Sequence, residues 1–387
     1  MAQYFTERLE KVFHMIFTSY NQEMAQEGLR QLELIVNNQQ SPEQTKHQAL
    51  RNDMTTSLEN EIDTKEDALK IANNPESREI ADAYALLARI YAGPRFTWEE
   101  SNFPENNMRT YQCLHDSIRR CSPIGTLQAL RINGTITPTV EKDMLISFND
   151  AFHIVYDYAK QGDAFCQYII GNVFFWRDDD RISLARDMIT PPRLSLAKRI
   201  QQSLQKGSIQ ERISTLQGTV SDETLQENAT TFAKEWFNKA LNNGLAMFQG
   251  NLRNIYIDEG DFDNARRVAL TAAELGNPTM MLYTGLDCHE HGKFEDAFTW
   301  FTKGAALGQA ESTAELADYY YHFYDTKELR RLIPYNPVKA IGLYRRAATK
   351  HFSDAGYAAL QAAFGYIFHI GHLPLDWGLI ADLTHMA

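Results

Sequence analysis

A short run of residue types that bind metal ions lies in the last third of the sequence, at Cys288-His289-Glu290-His291. Thiolate, imidazole and carboxylate groups are the ligands that Zn²⁺ takes in proteins. Neighbouring residues of a helix point about 100° apart, so this run cannot place its side chains around one tetrahedral ion. His289 and Glu290 would need a distant ligand, for which His322 is the candidate. A polar helix end is therefore the favoured interpretation, and a helical metalloprotein or enzyme with a site near these residues is the alternative.

A second histidine motif, His369-Ile370-Gly371-His372, matches the HIGH signature of class I aminoacyl-tRNA synthetases. In that family the motif follows the first strand of a nucleotide-binding sheet, whereas here it lies near the C-terminus of a helical sequence. We therefore interpret it as a chance match. The sequence also has no GxSxG, Walker or HExxH motif, and we predict a protein that is not an enzyme and needs no cofactor.

The cysteines are sparse and none belongs to a CxxC pair. They are Cys113, Cys121, Cys166 and Cys288. Four cysteines in 387 residues are too few for a disulfide-stapled secreted protein, so reduced thiols are expected. The N-terminus has no basic segment followed by an apolar one, which gives no indication of a signal peptide. The sequence therefore predicts a cytoplasmic protein.

The charge balance is acidic, with 38 Lys and Arg against 50 Asp and Glu, a net charge of −12. This sign disfavours nucleic acid and anionic membranes as partners and allows a basic one. The segment 355–375 has no charged residue, but Gln361, two histidines and a proline make it too polar for a spanning helix. We predict a buried helix hairpin there and no membrane insertion.

Helices are the elements that would position these side chains. In the first twenty residues, apolar side chains recur at three- and four-residue steps, which is typical of an amphipathic helix. They are Phe5, Leu9, Val12, Phe13, Ile16, Phe17 and Tyr20. Sustained alternation with a period of two, the signal of a half-buried strand, is missing throughout the sequence. The expected fold class is all-α.

The C-terminal half repeats itself. Gly244, Gly276 and Gly308 are spaced 32 residues apart, and alanines and aromatic residues keep the same spacing. A further copy begins at Ala340 after a longer step, whose extra residues fall at 326–336. Two short helices with their turns take roughly thirty-odd residues, and one such pair cannot bury its own apolar face. The spacing therefore predicts stacked helix pairs, each ended by a glycine with positive φ.

The sequence pattern of these copies resembles that of the Sel1-like subfamily of tetratricopeptide repeats. The match is to the turn Gly292-Lys293-Phe294 and to the helix 300–308 that follows it, and 151–174 is similar to the same pattern. The resemblance implies a right-handed α-solenoid of antiparallel helix pairs with an N-terminal helical region. Three parts are expected: an N-terminal helical region (1–76), divergent pairs with long loops (77–228), and regular repeats with a C-terminal capping helix (229–387).

In this family the first helix of each pair lines the concave face that binds a partner. Carried over by the resemblance, the partner-binding positions are Asn254, Asp258, Leu286, His289, Glu290, Asp318, Tyr321, His322, Tyr357 and Gln361. None of them is Lys or Arg, which disfavours a clamp for a C-terminal carboxylate. The acidic and aromatic side chains favour a partner segment that carries Lys or Arg.

The predicted function is a non-enzymatic scaffold or adaptor that binds another protein or peptide on the concave face. An immunity protein that neutralises a toxin, or an exported effector, would use the same repeat surface. Together with the metalloprotein, these alternatives stay open at the level of sequence.

Overall fold

The secondary structure is helical throughout the part of the chain that the computed structural model describes, and that part contains no strand. The described residues are 3–37, 64–132, 138–192, 194–217, 220–247, 249–324, 326–350 and 354–387. The all-α prediction is confirmed. Short 3₁₀ turns, such as Pro94–Phe96 and Ile370–His372, join some of the helices.

The chain divides into two compact units. Unit 1 comprises Met1–His14, Gln26–Phe96 and Phe103–Leu245, and unit 2 comprises Met15–Ala25, Thr97–Asn102 and Ala246–Ala387. The three-part division at residues 76 and 228 rests on similarity between repeats and stays a prediction.

The helix bounds follow in chain order. The helices before residue 245 are α1 (Glu7–Phe17), α2 (Gln22–Val36), α3 (Lys65–Asn73), α4 (Pro75–Tyr91), α5 (Asn107–Arg119), α6 (Pro123–Ile132), α7 (Pro138–Lys142), α8 (Phe148–Lys160), α9 (Ala164–Phe175), α10 (Ser183–Ile189), α11 (Leu196–Ser203), α12 (Ile209–Gln217) and α13 (Asp222–Asn242). The remaining helices are α14 (Gly250–Asp258), α15 (Phe262–Glu274), α16 (Pro278–Glu290), α17 (Phe294–Ala306), α18 (Ala310–Tyr321), α19 (Lys327–Leu332), α20 (Pro337–Ala348), α21 (Ala355–Ile367) and α22 (Trp377–Met386).

Unit 2 stacks its helices in chain order. From α14 to α18 each helix packs against the next, and α18 then packs against α20, α20 against α21, and α21 against α22. Because the connections are short, consecutive helices of a pair run antiparallel. The extra residues 326–336 contain α19, and Asn336 caps α20 with Pro337 in its first turn.

Glycines with positive φ follow the ends of α13, α15 and α17. Gly276 and Gly308 have φ of 102° and 93°, a conformation that glycine adopts without a Cβ clash. The next residue then caps the following helix: the side chain of Asn277 accepts from the backbone of Met280, and Gln309 does the same at α18. The 32-residue spacing thus reflects a repeated helix stop and helix start.

The small residues of the repeat are buried where helices meet. They are Ala265, Ala272, Ala297, Ala340 and Ala347. Val268, at the position that Trp236 and Trp300 take in the neighbouring copies, is buried in α15. Trp300 is half-buried, and the ammonium group of Lys303 lies 4.2 Å from its ring centroid. A half-buried position suits this indole ring, because one side packs on the protein while the other contacts the lysine cation.

The pattern predicted at 151–174 is also present, in unit 1. Helix α8 ends at Gly162, which has φ of 101°, and Asp163 caps α9 by accepting from the backbone N–H of Cys166. This is the same stop and start that Gly276 and Asn277 provide in unit 2.

The prediction of a buried helix hairpin at 355–375 is wrong. Helix α21 ends at Ile367, and the HIGH motif forms a 3₁₀ turn instead of a second helix. Gly371 has a positive φ, and a Cβ there would collide with the side chain of Val338. Phe368 and His372 are exposed, because a turn of this kind leaves one side open. Among the described residues, no helix is both long enough and apolar enough to cross a membrane.

Candidate partner-binding site

Helix α18 carries three acidic residues on one face. Glu311, Glu315 and Asp318 are spaced four and three residues apart, which brings side chains of a helix onto the same face. Asp354 lies immediately before the first residue of α21, and its charge acts on Glu315. We call these four residues the carboxylate cluster.

The innermost member of the carboxylate cluster is Asp318, which is buried. Its Oδ1 accepts hydrogen bonds from the hydroxyls of Tyr344 and Tyr357, the latter at 3.2 Å. Burial raises the pKa of the Asp318 carboxyl, and the two hydroxyl donors act in the opposite direction. The tyrosines therefore hold the carboxyl in place without supplying a positive charge.

Glu315 lies one turn before Asp318 and is half-buried. Its Oε2 accepts from the Tyr324 hydroxyl at 3.1 Å. Burial, together with the neighbouring carboxylates of Asp318, Asp354 and Glu311, raises the pKa of Glu315 to about 7. Like charges close together disfavour the ionised form of each other. Near neutral pH this side chain is therefore poised between its charged and neutral states.

Three members of the carboxylate cluster, Glu311, Glu315 and Asp318, have neutral hydrogen-bond donors among the described residues. The donors to Glu315 and Asp318 are tyrosine hydroxyls, and the donor to Glu311 is the side-chain amide of Gln309 at 3.1 Å. Lys, Arg and His form no ion pair with these three carboxyl groups in the described part of the chain. The arrangement therefore has unused capacity for a positive charge.

Exposed aromatic rings lie beside the carboxylate cluster and farther along α21. Phe323 is exposed, and its ring contacts those of Tyr324 and Tyr357. Along α21, Phe364 and Phe368 are exposed and pack on each other, with ring centroids 6.1 Å apart. Aromatic faces next to carboxylates suit a long side chain with an apolar stem and a cationic head.

His289 connects to the carboxylate cluster through the tyrosines. Its Nδ1 lies 2.7 Å from the Tyr319 hydroxyl, and its ring lies 4.3 Å from that of Tyr324, which donates to Glu315. Burial lowers the pKa of His289, so the neutral form is favoured. Leu286 packs into the same core, whereas Glu290 is exposed.

His322 has a different environment. It adopts positive φ at the end of α18, and its Nε2 lies 2.8 Å from the carbonyl oxygen of Ile333. Its ring and that of Tyr321 both contact Tyr335. The two histidines of the metalloprotein alternative thus have separate hydrogen-bond partners. In the described residues, no three His, Cys, Asp and Glu side chains are arranged to hold a metal ion.

The remaining predicted positions are spread along unit 2. Asn254 and Asp258 are exposed on α14, and Gln361 is half-buried one turn after Tyr357 on α21. Sequence reasoning missed Glu315, Tyr324 and Tyr344 as members of the site. A signal for Glu315 was available, since it lies four residues after Glu311 and three before Asp318. The positions of the tyrosines depend on tertiary packing.

The fold and this site define a helical-repeat protein with an acidic, aromatic surface in unit 2. No protein-family model and no curated protein matches the sequence. Among solved structures, the chain is similar to a Sel1 repeat protein from Oxalobacter formigenes, at 14% identity and a TM-score of 0.42, over 100% of this chain and 92% of the other. It is also similar to c5321, a protective antigen of uropathogenic Escherichia coli that displays an SLR fold. That likeness has 15% identity and a TM-score of 0.26, over 79% of this chain and 68% of the other.

Replacing Glu315 by glutamine is expected to change how stability depends on pH. The folded-state pKa, about 7, lies above the ordinary value of 4.5, so the folded protein binds the proton more tightly. The stabilisation from this proton is complete below about pH 4.5 and is lost as the pH rises through 7. Glu315→Gln should therefore be the more stable form at about pH 8, by on the order of 2 kcal/mol, and equal to the natural protein at low pH.

Urea denaturation at several pH values measures this difference. Glu328→Gln on α19 is the matched control, because that side chain is exposed and should give no pH-dependent difference. An equal effect of Glu315→Gln at low and high pH would contradict the environment described for Glu315.

Proposed function

We propose that the protein is a non-enzymatic interaction scaffold and that the carboxylate cluster receives a Lys or Arg side chain of a partner protein. The observation that carries this proposal is the environment of Glu315, which is surrounded by three further carboxyl groups and lacks an ion-pair partner among the described residues. A cation placed there would favour the ionised form of Glu315 and relieve the repulsion between the carboxylates.

The surroundings favour a protein segment over a free ion. Tyr357, which donates to Asp318, and Phe323, whose ring contacts Tyr357, offer apolar and aromatic surface next to the carboxylate cluster. Such surface can pack against the methylene stem of Lys or the planar guanidinium of Arg. It can also bury apolar neighbours of the basic residue, which supplies affinity that charge alone would not give.

Other predicted positions would extend the contact. Gln361 lies beside the aromatic face of α21, and Glu290 is exposed at the end of α16. Asn254, Asp258, Tyr321 and His322 belong to the same proposal as contacts along the rest of the partner segment. Acidic positions away from the cluster would mainly steer a basic partner during association.

Binding of peptide pools tests this proposal. Fluorescent peptides of mixed sequence, with one fixed Lys or Arg, are compared with pools in which glutamine occupies that position. The basic pools should bind more tightly, and their affinity should rise between about pH 6 and pH 8 because Glu315 must ionise to pair with the cation. Glu315→Gln should weaken binding by about tenfold and remove the pH dependence.

Glu328→Gln again serves as the control, since it removes one acidic group from an exposed position of the same unit. If the basic pools bind no better than the glutamine pools at either pH, the proposed function is wrong.

A further inference from the structure

The helix hairpin formed by α11 and α12 in unit 1 exposes large apolar side chains. Their exposed fractions run from 37% at Leu194 to 77% at Ile209. The set comprises Leu194, Leu196, Ile200, Leu204, Ile209 and Ile213. Single exposed apolar residues are common on protein surfaces, whereas six on one short helix hairpin indicate contact with another phase or molecule.

The apolar residues form a stripe instead of a scattered set. Leu196 and Ile200 on α11 and Leu204 at its C-terminal cap are spaced four residues apart, which places them on one side of the helix. Helices α11 and α12 pack mainly on each other. The hairpin is closed by polar contacts: Arg212 Nε donates to the carbonyl of Lys206 at 2.8 Å, and the Ser203 hydroxyl donates to the carbonyl of Arg212 at 3.3 Å.

The same hairpin is locally basic in an acidic protein. Residues 194–213 contain Lys198, Arg199, Lys206 and Arg212 against one acidic residue, Glu211, whereas the whole chain has a net charge of −12. Lys198, Lys206 and Arg212 are exposed, so the hairpin carries basic and apolar side chains that are both open to solvent.

We propose that the α11–α12 hairpin lies in the surface of a membrane that contains anionic lipids. Its leucines and isoleucines would enter the boundary of the acyl chains while the Lys and Arg side chains reach the headgroups, as in interfacial amphipathic helices. The hairpin does not span the bilayer. This proposal is independent of the proposed function, because it concerns a different surface and a different partner.

The net charge of the chain does not oppose this contact. At physiological ionic strength the Debye length is about 8 Å, so charges farther from the membrane are largely screened. The local positive charge of the hairpin therefore governs its attraction to anionic lipids, although the net charge of the whole chain is negative. Leu204 and Ile209 flank the turn of the hairpin and are its most exposed apolar residues. A lipid phase accepts such a protruding tip without the matching pocket that a protein partner would have to provide.

Vesicle flotation of the full-length protein tests the proposal. Vesicles of phosphatidylcholine with about 30% phosphatidylserine are compared with vesicles of phosphatidylcholine alone. We expect binding to the anionic vesicles at least about tenfold tighter than to the neutral ones, and weaker binding as salt is added. Leu204→Ser with Ile209→Ser should abolish binding, and Lys198→Gln with Lys206→Gln should reduce it to the level of neutral vesicles.

The controls make the same changes at exposed positions of other helices. Met24→Ser with Met108→Ser, and Lys293→Gln with Lys327→Gln, should leave vesicle binding unchanged. All the substituted side chains are exposed, so thermal unfolding should stay that of the natural protein and exclude misfolding as a cause. The proposal is overturned if the natural protein does not bind anionic vesicles or if the hairpin variants bind as it does. It is also overturned if the hairpin substitutions leave vesicle binding unchanged and instead abolish self-association of the protein or its binding to an acidic protein.

Discussion

Replacing Arg78 by methionine is expected to destabilise unit 1 by about 3–5 kcal/mol, because the change leaves a carboxylate buried without its cation. Arg78 is 0% exposed on α4, and its Nε donates to Asp82 at 3.0 Å. One Nη donates to the carbonyl of Ala72 at 2.8 Å and the other to that of Tyr4 at 2.6 Å. The guanidinium thus fastens the N-terminal segment and the end of α3 to α4.

The partners of Arg78 are themselves tied into a network. The hydroxyls of Ser122 and Tyr4 both donate to Asp82 Oδ1, at 2.6 and 3.3 Å. The guanidinium carbon also lies 4.0 Å from the ring centroid of Tyr4. Breaking one partner of such a network costs more than removing the whole pair, because the group left behind is desolvated and unpaired.

Urea denaturation and hydrogen exchange of the α4 amides measure how far Arg78→Met lowers the free energy of unfolding. Arg78→Met combined with Asp82→Asn should be less destabilised than Arg78→Met alone, because the buried charge is then gone. Arg30→Met is the control, since Arg30 forms a similar ion pair with Glu27 at 2.6 Å but in solvent, and should show no measurable loss. Equal effects of Arg78→Met and Arg30→Met would rule out the role assigned to the network.

Phe301→Ala should destabilise unit 2 by about 3–5 kcal/mol, the cost of removing a fully buried phenylalanine from a packed core. Phe301 lies on α17 with no exposed surface, and its ring meets the edge of Tyr319 at 5.6 Å between centroids. It also fills the space above Gly285, where a Cβ would come within 2.6 Å of the ring. The ring therefore joins α16, α17 and α18 in one layer.

Denaturation of the variants measures this cost, with Phe262→Ala as the control because Phe262 is 57% exposed at the start of α15. Gly285→Ala alone should also be destabilised, since the new methyl group collides with the ring. In the Phe301→Ala background the same methyl group would enter the cavity, so the double variant should be less destabilised than the sum of the single ones. Additive effects would show that the two positions do not share this contact.

Several features of the fold follow from local signals that the sequence carries. The glycines at 276 and 308 and the caps after them act within a few residues, so their spacing predicted where helices end and begin. The insertion at 326–336 was visible for the same reason, and it holds α19. The prediction at 355–375 was wrong because hydropathy alone does not distinguish a second helix from a 3₁₀ turn.

The candidate site was only partly visible in the sequence. Asp318 and Tyr357 were placed on one surface by the repeat register, and a hydrogen bond joins them. The raised pKa of Glu315 could not be anticipated, because it arises from burial and from carboxylates on two helices. The separate partners of His289 and His322 likewise depend on how α16, α18 and the insertion pack.

The sequence by itself determined the helical class, the rhythm of the helix pairs and the absence of cations from the predicted concave positions. These properties depend on spacing along the chain and on residue type. Tertiary structure decided which charges are buried. Arg78 with Asp82 and Glu27 with Arg30 are similar near neighbours in the sequence, yet one pair is enclosed and the other is in water. Burial depends on residues far away in the chain, such as Tyr4 and Ser122, and the dielectric surroundings that they create set the strength of each interaction.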